Sequence, residues 1–211
     1  MHRPQENQLM PTARGMRFLP RPVALGFEDT LEADQPLLAA LLHLMNQAAS
    51  DGHATLTLAS IQRELGMRPA GEWREILKRR LDNLTRQHYF LTNVAFPLVE
   101  YRRFETTRHG PRAIELSLTP DLVSICQNCE HIAYPWKLAR DLDPISFNLL
   151  TLAIVGQSAV IERPAGIEPA VFKSLMRNTA VTLIENGYIS RAKANGDQVR
   201  FKAEPANRSA Q

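Results

Sequence analysis

Cysteine is scarce in this 211-residue sequence: Cys126 and Cys129 are its two thiols, too few for the bridge framework of a small secreted scaffold. A reducing compartment is expected. The start, Met1 to Gln8, is polar without a signal-peptide core, and no stretch approaches the roughly 18 uninterrupted apolar residues of a membrane span. Both absences point to a cytoplasmic protein with no membrane partner. Also missing are a glycine-rich loop ending in Gly-Lys-Ser/Thr, a Gly-x-Ser-x-Gly elbow, a His-x-x-x-His metal pair and the His-x-His pair of a nicking enzyme. Cys126, Cys129 and His131 supply three zinc-type ligands, but structural zinc takes four and no second pair lies at normal spacing. The reading therefore assigns no catalytic residue, no cofactor and no metal. A charge of one sign is lacking too. The balance is 25 basic against 22 acidic side chains, net +3, so any attraction to a polyanion must come from clustering.

What is present suffices for folded domains, with 44% hydrophobic residues. Residues 1–34, with Pro4, Pro11, Pro20 and Pro22, read as an extended or disordered arm. Leu37, Leu38, Leu41, Leu42, Leu44 and Met45 then fall near helical spacing behind Asp34, a cap candidate. A turn at Ser50–Gly52 leads to a short strand at Thr55–Thr57 and a second helix, Leu58–Leu65, stopped by Gly66. After Pro69–Gly71, Trp73, Ile76, Leu77, Leu81 and Leu84 repeat at three- and four-residue steps and predict a third, amphipathic helix with those residues inward. Arg80 falls on that side and is expected to lay its stem over the core. The period then changes to strand through Tyr89–Val94 and Leu98–Phe104. A turn at Thr107–Pro111 joins the latter to Ala113–Leu118, a hairpin with a basic tip.

A second block opens at Thr119-Pro120-Asp121, a helix start signal repeated at Asp143-Pro144. The apolar stretch from Ile145 to Val155 reads as a core helix or a partner surface, and Ala159–Ile161 as a short strand. Phe172, Leu175, Met176, Leu183 and Ile184 mark an amphipathic helix stopped at Gly187. A hairpin follows, its turn at Asn195-Gly196, and residues 204–211 read as a flexible tail. Between Ile161 and Phe172 the prolines leave no room for a full helix.

The order helix, short strand, helix, helix, hairpin is that of a winged helix, and it recurs in shortened form. With the Tyr134–Val155 region between a basic wing and the Phe172–Ile189 helix and wing, the chain from about Gln35 to Lys202 resembles the Rep-type plasmid replication initiators. That resemblance implies an α+β, mainly helical protein of two winged-helix domains, 35–118 and 119–203. It also implies binding to repeated origin sites, opening of the duplex, recruitment of host replication-initiation or helicase-loading proteins, and a homodimer acting as self-repressor. The same scaffold serves operator-binding transcriptional regulators and protein-interaction modules, which stand as alternatives.

From Arg74 to Arg112 the chain has nine basic residues against four acids, the strongest cluster in the sequence. In a complex with double-stranded DNA, Arg74 is expected to read a base, with Lys78, Arg79 and Arg86 on the same helix. Arg102, Arg103, Arg108, His109 and Arg112 of the wing would hold backbone or minor groove. Lys173 and Arg177, one helical turn apart, and Arg191, Lys193, Arg200 and Lys202 on the second hairpin would reach another half of the site.

Overall fold

The structure is a computed structural model that describes residues 9–25, 34–48, 52–68, 71–86, 88–91, 94–97, 99–104 and 113–204, with side chains described outside 85–112. The chain divides into two compact units, Met1–Pro144 and Ile145–Gln211. The boundary expected at residue 118 thus falls about one helix, one strand and one short turn later.

In the first unit, strand β1 (Met16–Pro20) is followed by a short helix, α1 (Arg21–Leu25). Helix α2 (Gln35–Gln47) starts at Asp34, whose carboxylate accepts from the Leu37 amide at 3.1 Å, and it buries nine of its 13 residues. Strand β2 (His53–Thr57) leads into α3 (Leu58–Glu64), where Thr57 accepts from the Ser60 amide. Helix α4 (Gly71–Arg86) precedes the pair β3 (His88–Leu91) and β4 (Val94–Pro97), then β5 (Val99–Phe104) and β6 (Ala113–Leu118). The β2, β5 and β6 strands form one antiparallel sheet in the order β2-β6-β5, and β6 buries Ile114, Leu116 and Leu118 in strict alternation. At the entry to β2, Gly52 has φ +114°, and an added Cβ would sit 2.8 Å from the Val123 side chain. Glycine is therefore required there on two grounds.

Helix α5 (Pro120–Asn128), strand β7 (His131–Pro135) and the turn-like α6 (Trp136–Ala139) complete this unit. The expected arm is corrected here. Residues 16–20 pair antiparallel with β7, and Leu9, Met10, Leu19, Val23 and Ala24 are buried. Arg17 fastens the strand, ion-paired with Glu64 and lying 5.7 Å over the Trp136 ring, while the Trp136 indole N–H donates to the Glu64 carbonyl at 2.9 Å. A strand whose partner lies more than a hundred residues away leaves no local periodicity to read. The parts of 1–34 that were expected to be extended at 1–8 and 26–33 lie outside the described residues, as does 205–211 of the tail.

The second unit has α7 (Pro144–Ile154), β8 (Ala159–Glu162), α8 (Pro169–Glu185), β9 (Ile189–Asn195) and β10 (Gln198–Ala203). Its sheet runs β8-β10-β9, again first strand, last strand, middle strand. Helix α7 buries Ile145, Phe147, Leu149, Leu150 and Ala153, which makes it core rather than partner surface. The stretch from Arg163 to Glu168 forms turns and no helix, as its prolines require. Among the described residues no helix is long and apolar enough to cross a membrane.

Asp34 does two jobs, because it also grips the Arg80 guanidinium through both oxygens, at 2.6 and 2.7 Å, and so ties the start of α2 to α4. Burial pulls the Arg80 pKa down, and the Asp34 carboxylate more than reverses this. Replacing Asp34 with Ala removes a cap and leaves that cation without its partner, so urea denaturation should show a loss of about 2 kcal/mol. Asp34→Asn keeps the capping oxygen and should recover about half of it.

Candidate nucleic-acid interface

Helix α4 buries Leu77, Leu81 and Leu84 as its spacing predicts. Trp73 departs from expectation. It lies in the first turn of the helix and is 39% exposed. Of the candidate cations, Arg79 is exposed and Arg74 half-buried, while Lys78 is committed to Glu75 at 2.6 Å. Arg80 is held by Asp34, in keeping with its exclusion from the candidates. The side chains of Arg86, Arg102 and Arg103 are outside the described ones, and Arg108, His109 and Arg112 of the wing tip lie outside the described residues altogether.

The second unit presents a simpler surface. Residues 145–211 hold eight Lys and Arg against five Asp and Glu, a net +3 that equals the total of the whole chain. The first unit is accordingly neutral, its local excess between 74 and 112 being offset elsewhere in 1–144. Strand pleating decides where the charge of the second unit goes. Along β10, Val199, Phe201 and Ala203 turn inward and are buried, so Arg200 and Lys202 point the other way and are exposed. Arg200 stands directly opposite Lys193, and Lys202 opposite Arg191. A β-bulge between Lys202 and Ala203 restores Ile189 to the inner face opposite Ala203. Four cations thus form a two-by-two array on the outer face of one hairpin. Among the described residues none of the four has an ion pair.

The acids nearest this array, Glu162, Asp197 and the exposed Glu204, form no ion pair with it. On the neighbouring row, Glu162 accepts from the Gln198 amide at 2.8 Å. Asp197, in the hairpin turn, is gripped by both arms of Arg163 at 2.9 and 3.1 Å, and the Arg163 amide donates to the Asp197 carbonyl at 2.7 Å. Gln198 pairs with Asn195, so the loop proper is Gly196-Asp197, one residue later than the sequence suggests, with Gly196 at φ +60°. Arg163 also donates to the Ile167 carbonyl at 2.7 Å, which anchors the turn that stands where a second helix would be.

On α8, Phe172, Met176, Thr179 and Leu183 form the buried stripe, and the helix packs against β9. Ser146 of α7 and Thr179 share a buried hydrogen bond of 2.5 Å that fixes the two helices to each other. Lys173 and Arg177 lie on the exposed side of α8, accompanied by Ser174 and Asn178. Sequence reasoning found the four cations of the hairpin and the two of α8, Lys173 and Arg177. It missed that four of them face one another, although Arg-Ala-Lys and Arg-Phe-Lys around a two-residue turn carry that pairing in their spacing.

No family model matches the chain, and no curated protein does. Among solved structures, the crystal structure of domain 2 and domain 3 of RctB resembles it, with a TM-score of 0.53 over 82% of each chain at 13% identity. At that identity the likeness is one of fold. It spans both units, which supports a shared α+β architecture of helices and small sheets.

The thiols take no part in this surface. Burial, with Cys129 beside it, pushes the Cys126 thiol up to about 12, far from the range of a nucleophilic thiolate. The Arg163 pair has a measurable signature instead. Its hydrogen bonds and charge hold the Asp197 carboxyl below the usual carboxylate range. A folded-state pKa so depressed contributes stability that is full above the ordinary Asp value and is lost as pH falls through the lowered one. An NMR titration of the Asp197 carboxyl should place its midpoint below that of a model Asp, and Arg163→Ala should return it to the ordinary value while exchange of the hairpin amides accelerates.

Proposed function

We propose that the chain is a double-stranded-DNA-binding replication initiator that occupies repeated origin sites. The carrying observation is the hairpin array: Arg191, Lys193, Arg200 and Lys202 face each other across two strands with their like charges uncompensated. Like charges directly opposite in a ladder destabilise it by tenths of a kcal/mol or more, and a polyanion removes that cost. Phosphate contacts by these cations, with Lys173 and Arg177, would release counterions and make affinity depend steeply on salt.

Both sheets share the strand order of a winged helix, first strand, last strand, middle strand, with a helix before the closing hairpin. This supports reading the units as a full and a shortened winged helix, in which α4 and α8 are the helices offered to the major groove. The fold likeness to RctB, the Vibrio chromosome replication initiator, supports the choice of initiation over other uses of the scaffold. Tandem occupancy of direct repeats in a gel shift, with no preference for a palindrome, is the expected result; a palindrome preferred over direct repeats would favour an operator-binding regulator.

Two variants test the chemistry. Replacing the four hairpin cations together with Lys173 and Arg177 by Ala should cost at least about tenfold in affinity for duplex, and the log–log salt slope should shrink by about 0.9 for each phosphate contact given up. An unchanged slope would remove the second unit from the interface. Lys193→Glu places a carboxylate opposite Arg200, so thermal denaturation should show a gain of about 0.2–1 kcal/mol while duplex affinity falls. A variant both less stable and equally tight would contradict the account.

A further inference from the structure

The second unit has two layers, and six of its cations are divided between them. The buried stripe of α8, Phe172, Met176, Thr179 and Leu183, faces inward, and α8 packs against β9. The inner face of the sheet buries Ile189, Val199, Phe201 and Ala203. Lys173 and Arg177 are therefore on the solvent side of the helix layer. Arg191, Lys193, Arg200 and Lys202 are on the solvent side of the sheet layer, alongside the exposed Val160, which stands opposite Arg200 on β8. The hydrophobic core of the unit lies between the two sets.

A straight duplex laid along α8 meets the first set and passes the second by. We infer that the outer face of the β8-β10-β9 sheet is a second DNA-backbone site, so that one chain holds two duplex segments at once. This rests on the DNA-binding reading given above and extends it. The dimensions suit the ligand. Cross-strand neighbours are about 5 Å apart, and Arg200 to Lys202 spans about 6.8 Å, two residues of rise. Successive phosphates of one B-DNA strand advance about 3.4 Å along the axis and also wind around it, so neighbours are about 7 Å apart, close to the step of the array. No acid is ion-paired with the four cations among the described residues. Asp197 is neutralised by Arg163, while Glu162, hydrogen-bonded by the neutral Gln198 amide, and the exposed Glu204 are two acids against four cations and leave the face positive.

A bridging experiment on the full chain tests this. A random-sequence duplex is fixed to beads, the chain is bound and excess washed away, and capture of a fluorescent random-sequence duplex is measured at low salt. Three variants are compared with the unaltered chain: Lys173→Ala with Arg177→Ala, the fourfold Ala replacement of the sheet cations, and both sets combined. All replaced side chains are exposed, and circular dichroism with a thermal midpoint verifies that each variant folds. The expected result is that each partial variant stays on the beads, while its capture of the second duplex drops at least tenfold. The combined variant should be retained on the beads at least about tenfold less than either partial variant, any remainder being held by the first unit. If the fourfold variant binds the beads and captures as much second duplex as the unaltered chain, bridging comes from a dimer with one site per copy, and the inference is overturned. If the unaltered chain binds beads but captures nothing, the inference falls while the DNA-binding reading stands. If it fails to bind the beads at all, that reading falls first. Displacement of the second duplex by poly-glutamate at lower charge concentration than by free duplex would give the face to an acidic protein, and also overturn it.

Discussion

The pleat of β10 is the constraint on which the functional surface depends. Because successive side chains of a strand point to opposite faces, Val199, Phe201 and Ala203 can seal a core only if Arg200 and Lys202 are turned outward. Antiparallel pairing then sets Lys193 and Arg191 against them. The same alternation that stabilises the unit through burial creates an electrostatic cost on its other side. Burying the Phe201 and Val199 side chains is worth about 1.5–3 kcal/mol each, which outweighs like-charge contacts of tenths of a kcal/mol to about 1. The fold can therefore keep a repulsive array intact in the absence of any anion.

An array of this kind works only if its frame is stiff, since phosphate contacts lose affinity when side chains or strands must be ordered on binding. The second unit supplies the stiffness by polar means at its two ends. Arg163 clamps the hairpin turn to the 163–167 segment through Asp197 and Ile167. Ser146 and Thr179 lock α7 to α8 in the interior. These clamps also remove Asp197 as a competing anion, so one ion pair both rigidifies the hairpin and leaves its cations to an external partner.

Much of this was legible in the sequence where the determinant is local. The caps at Asp34 and Thr119, the alternation of Ala113–Leu118, the broken stretch after Ile161 and the extent of α8 all follow from residues within a few positions of one another. The strand at Met16–Pro20 was not legible, because its stability comes from β7 and from Arg17 meeting Glu64 and Trp136. Trp73 follows the helical spacing of the core leucines and is nonetheless 39% exposed, because spacing gives the direction a side chain takes and not what lies there to cover it. Counting charge along the chain also pointed first to residues 74–112. In space, Lys78 is paired with Glu75 and Arg80 with Asp34, while the four hairpin cations of the second unit have no ion pair among the described residues.

That contrast carries a general argument about how charge should be weighed. A basic residue on a helix has neighbours three and four positions away, so a mixed-charge helix such as α4 tends to neutralise itself, as Glu75 does for Lys78. On a two-stranded ribbon the neighbours are set by register, and an acid two residues along the strand is about 7 Å away. Lys and Arg at alternate positions on both arms of a tight hairpin thus have no internal route to neutralisation on their own face. Such a pattern is a stronger sign of an external anion than a larger excess spread along a helix. In this chain the pattern lies on the unit whose Lys and Arg exceed its Asp and Glu by the whole net charge of the protein.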